Sequence, residues 1–71
     1  MKDYKNREYT ALFFENPNGY IVTFKDGAKV KTKITSGFFG SKKLEVINDS
    51  HLTLEQKNLL YSFVKEINTA L

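Results

Sequence analysis

The sequence predicts an α+β domain of about four antiparallel strands (β-β-β-β-α), with one C-terminal amphipathic helix packed on one face of the sheet. Three observations lead to this prediction. Alternating aromatic and β-branched residues fill the first two thirds of the chain, Asp26-Gly27 marks a tight hairpin, and apolar residues recur with a period of 3.6 after Leu54. At 71 residues the chain has room for one domain, 1–71.

The first predicted strand runs from Arg7 to Glu15, after a polar segment, 1–5, that we expect to fray. Alternation assigns its apolar residues to two faces, with Tyr9, Ala11 and Phe13 on one and Leu12 and Phe14 on the other. The segment Asn16-Pro17-Asn18-Gly19 then predicts a turn, because proline presets φ while asparagine and glycine tolerate positive φ.

The next two strands, Tyr20 to Lys25 and Ala28 to Thr35, can pair in two registers. A two-residue loop, Asp26-Gly27, pairs Val22 with Lys31 and mixes aromatic side chains with lysines on one face. A three-residue loop, with Gly27 in the left-handed bulge position, pairs Val22 with Val30 and gives one apolar face and one lysine-rich face. A slip of one residue exchanges the faces, so the cleaner core favours the three-residue loop while the other register stays open.

The last third of the chain predicts a fourth strand, Lys42 to Asn48, and a helix. Thr53-Leu54-Glu55-Gln56 has the pattern of a capping box, which marks the start of the helix. The apolar stripe of the helix consists of Leu60, Phe63, Val64, Ile67 and Leu71. This stripe needs an apolar surface to cover, and the sheet face that carries Val22 provides one.

Composition and motif spacing argue against catalysis and against a bound metal or cofactor. The chain has no cysteine and one histidine, so we expect no disulfide, no metal site and no cofactor. Asp49-Ser50-His51 contains the residue types of a hydrolase triad, but consecutive residues cannot hold the Ser–His and His–Asp hydrogen bonds that such a triad needs. We therefore predict that the protein is not an enzyme.

Two further features concern location and origin. The chain has no N-terminal apolar segment typical of a secretion signal and no apolar run long enough to span a bilayer, so we expect a cytoplasmic protein without a membrane role. The preference for lysine over arginine, together with frequent asparagine, indicates an AT-rich genome such as that of a low-GC bacterium or its phage.

Positive charge is concentrated in residues 25–43, which hold six lysines and one aspartate, a net charge of +5, whereas the whole chain has a net charge of +3. Strict alternation places three of these lysines in a stripe on the face away from the helix, and two bulky aromatic residues follow in a connection bounded by glycines. The predicted binding residues are Lys29, Lys31, Lys33, Lys42, Lys43, Phe38, Phe39 and Ile21.

These residues support two hypotheses. In the first, the protein is a protein-binding module, such as an inhibitor or adaptor of an acidic protein partner, or a homodimer that buries this face. In the second, it binds single-stranded nucleic acid, with lysines tracking phosphates and a phenylalanine stacking on bases. A contiguous apolar patch formed outside the core by Leu12, Phe14, Ile21 and Ile47 would favour the first hypothesis.

Overall fold

The computed structural model describes residues 2–16 and 18–71, except for the side chain of Phe38. The elements in chain order are β1 (Tyr4–Lys5), β2 (Tyr9–Phe14), β3 (Gly19–Phe24), β4 (Lys29–Ser36), a short 3-10 turn (Phe38–Gly40), β5 (Lys42–Val46) and α1 (Leu54–Ala70). Each strand pairs antiparallel with the next, so the sheet order is β1-β2-β3-β4-β5. The α+β prediction is confirmed, with five strands instead of four.

The additional strand, β1, lies in the segment predicted to fray. Tyr4 pairs with Ala11, and its ring lies 5.4 Å from that of Phe63 between centroids. The backbone carbonyl of Lys2 accepts a hydrogen bond from the Tyr20 hydroxyl at 3.0 Å. The prediction of a frayed terminus is therefore wrong for residues 2–5, because Tyr4 brings enough aromatic surface to hold this polar segment against the core.

The hairpin between β3 and β4 has the register of the three-residue loop. Val22 pairs with Val30, and the Phe24 amide donates to the Ala28 carbonyl at 2.8 Å. Gly27 has a φ of 91°, a conformation that glycine adopts without steric cost. The two-residue register is excluded. In the other predicted turn, Pro17 lies outside the described residues.

The core lies between the inner face of the sheet and α1. The sheet contributes Ala11, Tyr20, Val22, Phe24, Val30 and Leu44, the helix contributes Leu60, Phe63, Val64 and Ile67, and the preceding loop contributes Leu52. The ring of Phe63 packs 5.3 to 5.7 Å from the rings of Tyr4, Tyr9 and Tyr20. Leu71, predicted on the buried stripe, is 40% exposed because it caps the helix after its last turn.

Two local features tie these elements together. Thr32 is fully buried, and its hydroxyl donates to the Tyr20 carbonyl at 3.0 Å while accepting from the Tyr20 amide at 3.2 Å. The predicted capping box is present, because Thr53 Oγ1 accepts from the Gln56 amide and Gln56 Oε1 accepts from the Thr53 amide. No helix within the described residues is long and apolar enough to cross a membrane.

Candidate binding surface on the outer face of the sheet

The outer face of the sheet is the side opposite α1. Paired residues point to the same side and successive residues alternate, so the register assigns every strand residue to a face. The side chains on the outer face are Lys5, Thr10, Leu12, Phe14, Ile21, Thr23, Lys29, Lys31, Lys33, Thr35, Lys43 and Glu45. The predicted residues Ile21, Lys29, Lys31, Lys33 and Lys43 are thus brought to one surface.

One row of side chains crosses four strands at the centre of this face. Leu12 pairs with Ile21, Ile21 pairs with Lys31, and the Ile47 amide donates to the Lys31 carbonyl at 3.1 Å just beyond the end of β5. We call Leu12, Ile21, Lys31 and Ile47 the outer row. Leu12 is 45% exposed and Ile47 is 54% exposed, while Ile21 is half-buried.

The lysine in the outer row is held over an aromatic ring. Its ammonium lies 5.3 Å from the centroid of the Phe14 ring, within the range of a cation–π interaction. Phe14 is itself half-buried and adjoins Leu12 in the same strand. The contact brings the positive charge onto the apolar part of the surface, so that apolar and basic groups form one continuous patch.

The lysine stripe runs along β4 at right angles to the outer row. Lys29, Lys31 and Lys33 are all exposed, and alternate positions in a strand place them over about 13 Å. Within the described residues, no carboxylate lies within 4.0 Å of their ammonium groups, although Glu45 pairs with Lys33 across the strands. Five lysines and one glutamate on the outer-face strand positions give this surface a net charge of +4.

The remaining predicted binding residues lie at the end of the sheet, in and after the β4–β5 connection. Phe39 is fully exposed and has a φ of 64°, which is unusual for a bulky residue. Lys42 pairs with Ser36 and therefore points to the opposite side from Lys43. The side chain of Phe38 lies outside the described part of the structure. The two phenylalanines lie in the connection predicted between the strands, where the backbone forms a short 3-10 turn.

Sequence reasoning missed one member of the surface. Lys5 pairs with Thr10 and therefore lies on the outer face, where it adds a fifth lysine. The sequence pattern that could have identified Lys5 is its position after Tyr4. In a strand, an aromatic residue that points inward is followed by a residue that points outward.

The triad-like residues do not form a proton relay. The Tyr61 hydroxyl donates to Asp49 Oδ2 at 2.6 Å, the Ser50 hydroxyl donates to Asn48 Oδ1 at 2.9 Å, and His51 Nε2 lies 2.6 Å from the Lys29 carbonyl. The Asp49 hydrogen bond raises the pKa of Tyr61, because a phenolate there would face a carboxylate. These contacts attach the loop before α1 to the helix and to β4.

The described residues provide no group of three His, Asp or Glu side chains that could hold a metal ion. A groove of about 460 Å³ between β5 and α1 has apolar walls from Leu44 and Val64, but two of the polar side chains that line it, Tyr61 and Asn68, are already engaged. Asn68 Oδ1 accepts from the Leu44 amide at 2.7 Å, and Tyr61 donates to Asp49. The outer face therefore remains the best candidate site.

Comparison with protein-family models, with curated proteins and with solved structures returns no match for this chain.

Proposed function

We propose that this protein is a non-enzymatic binding module that recognises an acidic protein partner through the outer face of its sheet. The observation that carries the proposal is the outer row, where three aliphatic side chains and one lysine lie side by side across four strands. Exposed apolar groups beside predominantly positive charges suit a protein interface, since the apolar anchors supply affinity and the charges select the partner.

The arrangement of the exposed apolar groups supports this function more than their number does. Single exposed leucines and isoleucines are common on protein surfaces, whereas a contiguous group marks an interaction site. Leu12 and Ile47 are about half exposed, and they lie in one row with Ile21. Among the described elements, α1 packs on the inner face and leaves this row uncovered.

The charge of the outer face indicates which kind of partner fits. A surface with a net charge of +4 attracts an acidic partner and raises its association rate. A homodimer through this face would oppose ten lysines and two glutamates, and like charges brought together across an interface are unfavourable. We therefore propose an acidic partner instead of a second copy of the chain.

A second candidate function is binding of single-stranded nucleic acid, and the exposure of Phe39 favours it. A fully exposed aromatic ring near Lys42 and Lys43 offers a stacking platform for a base, and the β4 lysines could track phosphates. Affinity for a single strand would then fall by about 0.7 log unit per contacted phosphate for each tenfold rise in salt.

The test is to isolate the partner and map its site on this protein. Immobilised protein captures partners from an extract of the cells that produce it, and the recovered protein is purified and titrated into the methyl-labelled chain. We expect NMR shifts at the methyl groups of Leu12, Ile21 and Ile47. A Lys31→Glu variant should weaken binding, while Lys65→Glu, on the exposed side of α1, should not.

A labelled single-stranded oligonucleotide is titrated in parallel with the wild-type protein and with Phe39→Ala. Saturable, salt-sensitive binding that this variant loses would replace the protein-binding proposal with the nucleic-acid function. A purified protein partner that leaves the three outer-row methyl groups unperturbed would also overturn the proposal.

A further inference from the structure

On each side of the sheet, one backbone amide is occupied by a side chain of the protein itself. At one edge the Phe13 amide donates to Asp3 Oδ1 at 2.8 Å, and at the other the Leu44 amide donates to Asn68 Oδ1 at 2.7 Å. A partner that binds by adding a strand needs outward-facing amides of this kind. Strand addition at these two amides would first have to displace Asp3 or Asn68, whereas the side chains of the outer face are already accessible.

The outer face offers a partner side chains but few backbone groups, because the amides and carbonyls of β3 are engaged with β2 and β4. An extended segment pressed against apolar side chains would bury its own amides and carbonyls without hydrogen-bond partners, which is unfavourable. An α-helix satisfies its backbone internally. The inner face of the same sheet is covered by a helix, because α1 packs on it.

The lysine stripe matches the spacing of one side of such a helix. Lys29, Lys31 and Lys33 are spaced about 6.6 Å apart along β4. Carboxylates at positions i, i+4 and i+8 of a helix are spaced about 6 Å apart along its axis. A helix lying along the strands above β2 and β3 could therefore place an acidic stripe beside β4.

The apolar side of the same helix would then meet the apolar residues of β2 and β3. Leu12 and Phe14 occupy alternate positions of β2, and Ile21 pairs with Leu12 from β3. These three side chains form a compact group beside the lysines, whereas Ile47 lies on the far side of β4. A helix with adjacent apolar and acidic stripes fits both sets of groups at once.

We infer that the partner presents an acidic amphipathic α-helix, which lies along β2 and β3 with its carboxylates against Lys29, Lys31 and Lys33. This inference rests on the proposed protein-binding function and adds the structural class of the ligand and its orientation. Salt bridges at the exposed lysines supply selectivity and encounter rate, and the apolar contacts with Leu12, Phe14 and Ile21 supply most of the affinity.

The probe is a designed, fluorescently labelled helical peptide of 18 residues with glutamates at i, i+4 and i+8 beside a leucine stripe. One control peptide has the same composition in an order that forms neither stripe, and a second has glutamine in place of each glutamate. Anisotropy titrations should show that the designed peptide binds at least about tenfold more tightly than either control.

Matched protein variants place the peptide on the surface. Lys29→Glu combined with Lys33→Glu should weaken peptide binding by about tenfold or more, while Lys57→Glu combined with Lys65→Glu, the same charge change on α1, should not. Leu12→Ser should weaken binding more than Ile47→Ser, because Ile47 lies beyond the lysine stripe. Circular dichroism of each variant establishes that it is folded.

Equal binding of the designed and reordered peptides would overturn the inference, because it would show that binding depends on the charge of the peptide and not on its helical stripes. Failure of every peptide, while the purified natural partner still shifts the outer-row methyl groups, would overturn the helix and leave the proposed function standing. Failure of both the peptides and the natural partner at this face would overturn the two together. Tighter binding of a single-stranded oligonucleotide of equal charge would also overturn the inference.

Discussion

The inner and outer faces are made by the same strands, yet they differ in almost every physical property. On the inner face Tyr20 and Val22 are fully buried, and Thr32 is the one buried polar residue among the described residues. On the outer face Leu12 remains 45% exposed and lies among five lysines. Alternation thus separates side chains that pack in the core from side chains that stay accessible to a partner, and substitutions on the two faces should have separable effects on stability and on the proposed binding.

The largest expected effect is on the inner face, at Phe63. Phe63→Ala removes the ring that packs against Tyr4, Tyr9 and Tyr20, and it should lower the free energy of unfolding by about 3–5 kcal/mol. That is a large part of the stability expected for a chain of this size, roughly 4–10 kcal/mol. Urea denaturation measures it, with Ile47→Ala as the outer-face control, expected to change stability by less than about 1 kcal/mol. Similar losses of unfolding free energy in both variants would contradict the difference between the inner and outer faces.

A smaller effect is expected from the buried hydroxyl of the inner face. Thr32→Val keeps the shape of the side chain but removes both hydrogen bonds to the Tyr20 backbone, leaving an amide and a carbonyl without these partners. We expect a loss of about 1–3 kcal/mol in the free energy of unfolding. Thr35→Val is the control, because the Thr35 hydroxyl is at the periphery and its bond to the Lys43 carbonyl is long, at 3.4 Å. A stability change no larger at Thr32 than at Thr35 would contradict this account.

At Phe39 the expected effect has the opposite sign. The left-handed conformation of this residue, with a φ of 64°, is unfavourable for phenylalanine and easier for asparagine. Because the ring is fully exposed, Phe39→Asn loses no packing and should raise the free energy of unfolding by about 0.5–1 kcal/mol. Thermal and urea denaturation provide the measurement. A destabilised variant would indicate that the ring has a structural role.

The smallest effect is expected from Asp26, which connects the β3–β4 hairpin to the start of α1. Its carboxylate accepts from the Ala28 amide at 3.0 Å and from Gln56 Nε2 at 2.9 Å, and these bonds lower the pKa of Asp26 below 3.8. A lowered folded-state pKa means that the contribution to stability is present above the unfolded pKa and is lost as the pH falls through the folded value. Asp26→Asn should therefore flatten the stability profile below about pH 4. NMR titration of Asp26 checks the direction, and a pKa above 3.8 would contradict it.

The candidate surface was only partly predictable from the sequence. The assignment of Ile21 and the lysines Lys29, Lys31 and Lys33 to one face follows from alternation and from the requirement that the other face be apolar. The adjacency of Leu12 and Ile47 to this group depends on the order of strands in the sheet. Lys5 joined the surface only because Tyr4 docks on Phe63 and holds β1 in place.

The sequence by itself determined the features that consecutive residues encode. These are the alternation of faces in β2, β3 and β4, the capping box at Thr53 and the apolar period of α1, whereas the sequence favoured the register at Gly27 without deciding it. Tertiary structure alone decided the features that join residues far apart in the chain, such as the Asn68 bond to Leu44 and the docking of Tyr4. The physical reason is that local patterns depend only on residues close in the sequence. A long-range contact forms only after the sheet and helix have packed and have brought two distant residues within reach of each other.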